Sequence, residues 1–137
     1  MISTNAKTEI EVLKTQNSRL SQVDFSNLPF GRIFSDHMFV MDYKNGAWNN
    51  PQIRPFENFS FSPSISALHY GQSIFEGMKA YRNKNNEVFI FRPDMNYKRM
   101  NHSAQRMCMP EIPTELFSEG LNKLIEIDKN WIPNEDG

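Results

Sequence analysis

The residues of this chain best suited to chemistry fall in two short stretches. Arg92-Pro93-Asp94-Met95-Asn96-Tyr97-Lys98-Arg99-Met100 puts two cations, Lys98 and Arg99, one turn into a helix that begins right after a strand. Cations so placed can hold a phosphate. Arg99 suits the task better than Lys98, because its guanidinium is a planar fork of donors matched to phosphate oxygens and an ammonium is not. The competing reading is a solvated helix face, with Arg92, Lys98, Arg99 and Arg106 all in water. The second stretch, SALHYGQSIFEGMKAYR at residues 66 to 82, gathers Tyr70, Phe75 and Tyr81 around Gly71 and Gly77, with one carboxylate, Glu76, and one amine, Lys79. It reads either as core or as the wall of a site. Other candidates are weaker. His37, His69 and His102 form no ligand spacing with one another or with Cys108, so no metal site is expected and each reads as a structural histidine. Cys108 is the single cysteine, which allows no internal disulfide; it is expected to pack as a small apolar residue rather than act as a nucleophile.

These residues need elements to carry them. Leu68, Ile74 and Phe75 at helical spacing predict a helix over residues 66 to 75, with Gly77 as the glycine that ends it at φ > 0. The alternation Met78-Lys79-Ala80-Tyr81-Arg82 then predicts a strand over 78 to 82. Beyond Asn83-Lys84-Asn85-Asn86, a second strand over 87 to 91 should pair with it as a hairpin. Pro93 suits a first helical turn and Asp94 its positive end, while Met100, Ala104, Met107 and Cys108 share a face, so a helix is expected over 94 to 108, stopped by Pro110 and Pro113. Thr114 as N-cap and the stripe Leu116, Phe117, Leu121, Leu124, Ile125 predict a last helix over 114 to 129. Upstream, Ile10-Glu11-Val12-Leu13 reads as a short strand followed by a polar connector to about Leu28. Residues 37 to 43 have strand composition, and Asn45-Gly46 is a strong hairpin turn. From Asn49 to Pro63 the prolines Pro51, Pro55 and Pro63 predict an extended, irregular run, since each limits sheet pairing. The sum is an α+β fold, a mainly antiparallel sheet with flanking helices.

At 137 residues the chain fits one domain, able to bury about two thirds of its unfolded surface. Eleven Phe, eight Met and two Trp can fill its core. A mean hydropathy of -0.60 and the absence of any long apolar run argue against a membrane span, and MISTNAKTEIEVLK has no signal-peptide pattern, so a cytoplasmic location is expected. Fifteen basic against sixteen acidic residues leave a net charge of -1, which provides no broad field to attract nucleic acid.

Taken together, the residues resemble the branched-chain amino acid aminotransferases of the fold type IV class of pyridoxal-phosphate enzymes. The resemblance runs from Pro29-Phe30-Gly31 through Asp36-His37-Met38, Ser66-Ala67-Leu68-His69-Tyr70 and Phe75-Glu76-Gly77-Met78-Lys79-Ala80-Tyr81-Arg82 to Phe91-Arg92-Pro93, Arg99-Met100, Ser103-Ala104 and Trp131-Ile132-Pro133. Pro-Phe-Gly and Asp-His-Met are similar to the longer branched-chain type rather than to the short D-amino acid aminotransferases. The resemblance implies that Arg99 binds the phosphate of pyridoxal 5'-phosphate, and that Phe30, Tyr70 and Phe75 line an apolar substrate pocket. It also implies a homodimer, with Tyr70 reaching the neighbouring subunit's site. An apolar, aromatic pocket is what leucine, isoleucine and valine require, since their side chains carry no polar group to recognise.

Transamination needs a lysine bonded covalently to the cofactor and an acidic partner at the pyridine nitrogen. By the resemblance neither lies in this chain, which therefore holds no catalytic residue; both belong to a larger domain that follows. Lys79 occupies a strand position that is basic in the family without serving that role. The expected organisation is an N-terminal strand and connector over 1 to 28, then over 29 to 137 the small N-terminal domain of a two-domain enzyme. That enzyme exchanges amino groups between branched-chain amino acids and 2-oxo acids, notably 2-oxoglutarate, and the chain alone is expected to be inactive. Two other readings stay open: a relative of D-amino acid aminotransferase or aminodeoxychorismate lyase, and a dimerisation or binding module without catalysis.

Overall fold

Asn45 and Gly46 take φ of 54° and 79°, the left-handed conformation that a two-residue hairpin turn demands, and so join the strands β2 (His37–Lys44) and β3 (Ala47–Pro55). This computed structural model describes residues 9 to 134. The β2–β3 pairing is antiparallel from His37 opposite Pro55 to Lys44 opposite Ala47. A two-residue strand, β1 (Glu11–Val12), adds in parallel along the other side of β3, with Val12 opposite Ile53. The order β1-β3-β2 makes β3 the central strand.

The expectation of an irregular run from Asn49 is thereby corrected for residues 49 to 55, which are strand despite Pro51 and Pro55. A bulge resolves the conflict. Val40 faces Gln52 and Asp42 faces Asn49, so Asn50 and Pro51 together oppose Met41, with Asn50 at φ 50°. Two residues against one interrupt the ladder where the proline has no N–H to give. Pro55 sits at the strand end. From residue 57 to 62 the chain is irregular, as expected.

The described residues divide into two compact units. The first comprises the residues up to Phe56 with Ser118–Trp131. Its apolar centre is Ile53, fully buried, with Ile10. Helix α3 (Thr114–Ile127) begins in the second unit and continues in the first, where Gly120 meets the Phe39 ring so closely that an added Cβ would lie 2.4 Å from Cε1. A short 3-10 helix, Lys129–Trp131, follows where helix was expected to reach 129. Polar groups tie the ends of these elements together. Asp36 accepts from Ser18 Oγ at 2.5 Å, the Arg19 N–H at 2.9 Å and Trp131 Nε1 at 3.1 Å. Burial works against its ionisation, but these donors prevail and hold the carboxyl below its ordinary range. Asp128 takes the His37 backbone N–H at 2.9 Å and His37 Nδ1 at 2.7 Å, while His37 Nε2 accepts the Thr15 N–H at 2.9 Å. His37 is thus a satisfied structural histidine.

The second unit holds Glu57–Phe117 and the residues from Ile132 onward. Its first helix, α1, covers only Ser66–Tyr70, because Gly71 at φ 60° stops it. The expected helix to 75 is therefore too long, and the glycine with positive φ is Gly71 and not Gly77. None of the residues of α1 is buried, so packing has nothing to extend it with. Strands β4 (Ala80–Arg82) and β5 (Val88–Ile90) form the expected hairpin, with Tyr81 opposite Phe89. Asn83 closes the turn, its Oδ1 accepting the N–H groups of Asn85 and Glu87 at 2.9 Å each. This hairpin is a sheet of its own, so one expected sheet is in fact two small ones. Helix α2 (Pro93–Arg106) starts with proline in its first turn. It buries Ala104 and Asn101, and Asn101 bonds both backbone groups of Ile112 at 2.9 Å. Cys108 lies past the helix end, exposed and at φ 53°, which corrects the expectation that it packs inside. The fold is α+β, with three α-helices and two small sheets among the described residues.

Candidate functional site

Arg99 projects from α2 with its side chain 64% exposed, yet it is not simply solvated. Its Nε donates to Glu76 Oε2 at 2.8 Å and its Nη2 donates to Glu76 Oε1. The Glu76 side chain is only 7% exposed. Asn96, one turn earlier on the same face of α2, donates to Glu76 Oε1 at 3.1 Å and to the Gly77 carbonyl at 2.9 Å. The Gly77 N–H adds a further bond to Glu76 Oε1 at 2.9 Å. The Arg99 hydrogen bond is the main cause that draws the Glu76 carboxyl down to about 2; Asn96 and the Gly77 N–H assist, and burial opposes them.

The contact with Glu76 is side-on. It uses the Nε and Nη2 edge of the guanidinium and leaves the Nη1 edge outside the pair. The outer edge of Arg99, on its Nη1 side, is thus not occupied by the ion pair. Beside the pair, Gly77, Met78, Lys79, Tyr81, Phe91 and Asn96 line a cavity of about 420 Å³. Lys79 is exposed.

The aromatics of the 66 to 82 stretch are not core. Tyr70 is 84% and Phe75 93% exposed, and Leu68 beside them is also exposed. The structure joins Phe75 to the Arg99 pair through its chain neighbour Glu76. Phe30 belongs to the first unit, on a turn closed by the Arg32 N–H to the Pro29 carbonyl at 3.3 Å, with its ring fully exposed. Sequence reasoning missed Asn96 and the anchoring part of Glu76. The signal for Asn96 was its position three residues before Arg99, on one helix face. Among the described residues no group of His, Cys, Asp or Glu is arranged to hold a metal ion, and no helix is long and apolar enough to cross a membrane.

No family model matches the chain. Curated relatives do. Branched-chain-amino-acid transaminase 1 of Bacillus subtilis is 50% identical over 115 residues, which is 83% of this chain and 32% of that protein. The cytosolic branched-chain-amino-acid aminotransferase of Saccharomyces cerevisiae is 41% identical over 94% of this chain and 34% of its own length. The mitochondrial enzyme of Rattus norvegicus is 36% identical over 99% of this chain and 35% of its own length. This chain is a homologue of the branched-chain amino acid aminotransferases. It spans about a third of the length of the relatives it matches. The rat match covers nearly every residue, so the Arg99 and Glu76 pair and the exposed aromatics lie within the part shared with a branched-chain aminotransferase. Two of these relatives are named for different compartments, one cytosolic and one mitochondrial.

Proposed function

We propose that this chain is the small N-terminal domain of a fold type IV, pyridoxal-phosphate-dependent branched-chain aminotransferase, which exchanges the amino group between leucine, isoleucine or valine and 2-oxoglutarate. The observation that carries this reading is the 36 to 50% identity to branched-chain aminotransferases over 83 to 99% of the chain. The local chemistry agrees with it. Arg99 holds the cofactor phosphate on its outer edge, and Glu76 keeps the guanidinium in place behind it. Phe30, Tyr70 and Phe75 offer the apolar walls that select an unfunctionalised branched side chain and exclude water from it. Bound pyridoxal phosphate supplies the electron sink for chemistry at the substrate's α-carbon.

The lysine and the acidic group that work on the cofactor belong to a larger domain beyond this chain, so the 137 residues alone are inactive. The protein acts as a homodimer in the cytoplasm, with Tyr70, exposed on α1, reaching the partner subunit's pocket. Titrating the full-length protein with pyridoxal phosphate tests the role of Arg99. Arg99→Ala is expected to weaken binding, because a charge-assisted hydrogen bond to the phosphate is lost, and Arg99→Lys to recover only part of it. Unchanged affinity in Arg99→Ala would return this residue to a solvated face.

A further inference from the structure

Residues 71 to 79 form no helix or strand, yet they carry an exposed ring directly beside a largely buried carboxylate. Phe75 stands 93% exposed, and the next side chain, Glu76, is 7% exposed. A ring in solvent has no packing to fix its position, so its backbone must fix it. That backbone is held to α2. Glu76 receives Arg99 Nε at 2.8 Å, Arg99 Nη2, and Asn96 Nδ2 at 3.1 Å, and Asn96 also grips the Gly77 carbonyl at 2.9 Å. The same carboxylate therefore sets two things: which edge of Arg99 faces outward, and where the chain places Phe75.

We propose that Glu76 is a positioning residue that joins the phosphate-gripping edge of Arg99 and the substrate-facing ring of Phe75 into one rigid unit, with Asn96 as its second tether. This rests on the cofactor and pocket assignments made above. Its consequence is that the grip on the cofactor and the preference for branched substrates are coupled. The alternative is that Glu76 merely balances charge, and the two differ in sign. Removing a negative charge beside Arg99 would strengthen binding of an anionic phosphate if charge were all that mattered. Loss of a preorganised guanidinium weakens it.

The test uses the full-length protein, titrated with pyridoxal phosphate by absorbance and assayed for kcat/KM on leucine and on alanine. In Glu76→Gln an amide NH2 must face guanidinium donors, so we expect the dissociation constant for pyridoxal phosphate to rise about tenfold and the leucine-to-alanine ratio of kcat/KM to fall severalfold. Asn96→Ala keeps the ion pair but frees the Gly77 carbonyl, so it should lower the ratio while changing cofactor affinity less than Glu76→Gln does. Equal or tighter cofactor binding in Glu76→Gln, with the ratio unchanged, overturns the proposal. Should Glu76→Gln not fold, an unchanged ratio in Asn96→Ala overturns it instead. Arg99→Ala separates the layers: if it binds cofactor as well as wild type, the phosphate assignment itself fails, and if it binds weakly while Glu76→Gln does not, only the positioning role fails.

Discussion

Asp128→Asn should destabilise the first unit by an amount that follows from counting donors. Asp128 accepts two bonds from one residue, the His37 backbone N–H at 2.9 Å through Oδ2 and the ring Nδ1 at 2.7 Å through Oδ1. Both side chains are under a tenth exposed. Because His37 Nε2 accepts the Thr15 N–H, the ring proton of the neutral imidazole sits on Nδ1 and points at Asp128. An asparagine offers one carbonyl oxygen and one NH2. Either way round, one buried donor meets another donor, and switching the imidazole tautomer only moves the conflict to the Thr15 N–H. A buried donor left unsatisfied costs about 1 to 3 kcal/mol. With a urea m-value of about 1 to 3 kcal/mol per molar, the unfolding midpoint should fall by roughly 1 M. Trp131 reports on the same unit and hydrogen-bonds Asp36, so its fluorescence follows the transition. A midpoint within about 0.2 M of wild type would refute the donor count.

Two further perturbations test the packing and the ion pair. Gly120→Ala would ordinarily strengthen a helix interior by about 1 kcal/mol, but here the new methyl lies 2.4 Å from the Phe39 ring, so a net loss of about 1 to 3 kcal/mol is expected in urea unfolding. Glu76 has a folded pKa of about 2 against an ordinary value of 4.5, so its contribution to stability is fully present above about pH 4.5 and is lost as pH falls towards 2. Acid titration of stability should show this loss in the wild type and lack that component in Glu76→Gln.

What could be read along the chain and what could not divides on whether the deciding partner was local. Asn45-Gly46, Pro93-Asp94 and the Ala104 face were legible because turn geometry, helix capping and helical period act within a few residues. Pro51 misled because its tolerance depends on a bulge set by the register of β2, which no local pattern displays. Gly77 was expected to end the first helix, but Gly71 does so. The earlier one prevailed because α1 buries no residue and packing gives it no reason to continue. Gly120 broke the apolar stripe of α3 for a reason located on β2, the Phe39 ring. Arg99 shows the same limit at the candidate site: its exposure was legible, but its partner Glu76 lies 23 residues away. Asn96 could have been found, since it shares a helix face with Arg99.

The central claim is best tested by mixing the full-length protein, pyridoxal phosphate and 2-oxoglutarate with leucine, isoleucine, valine, alanine or D-alanine and following glutamate formation. Turnover with the three branched L-amino acids is expected to lie well above that with alanine, with none from D-alanine and none at all from the 137-residue chain by itself. Absence of turnover by the full-length protein with branched substrates, or a preference for D-alanine, would contradict it.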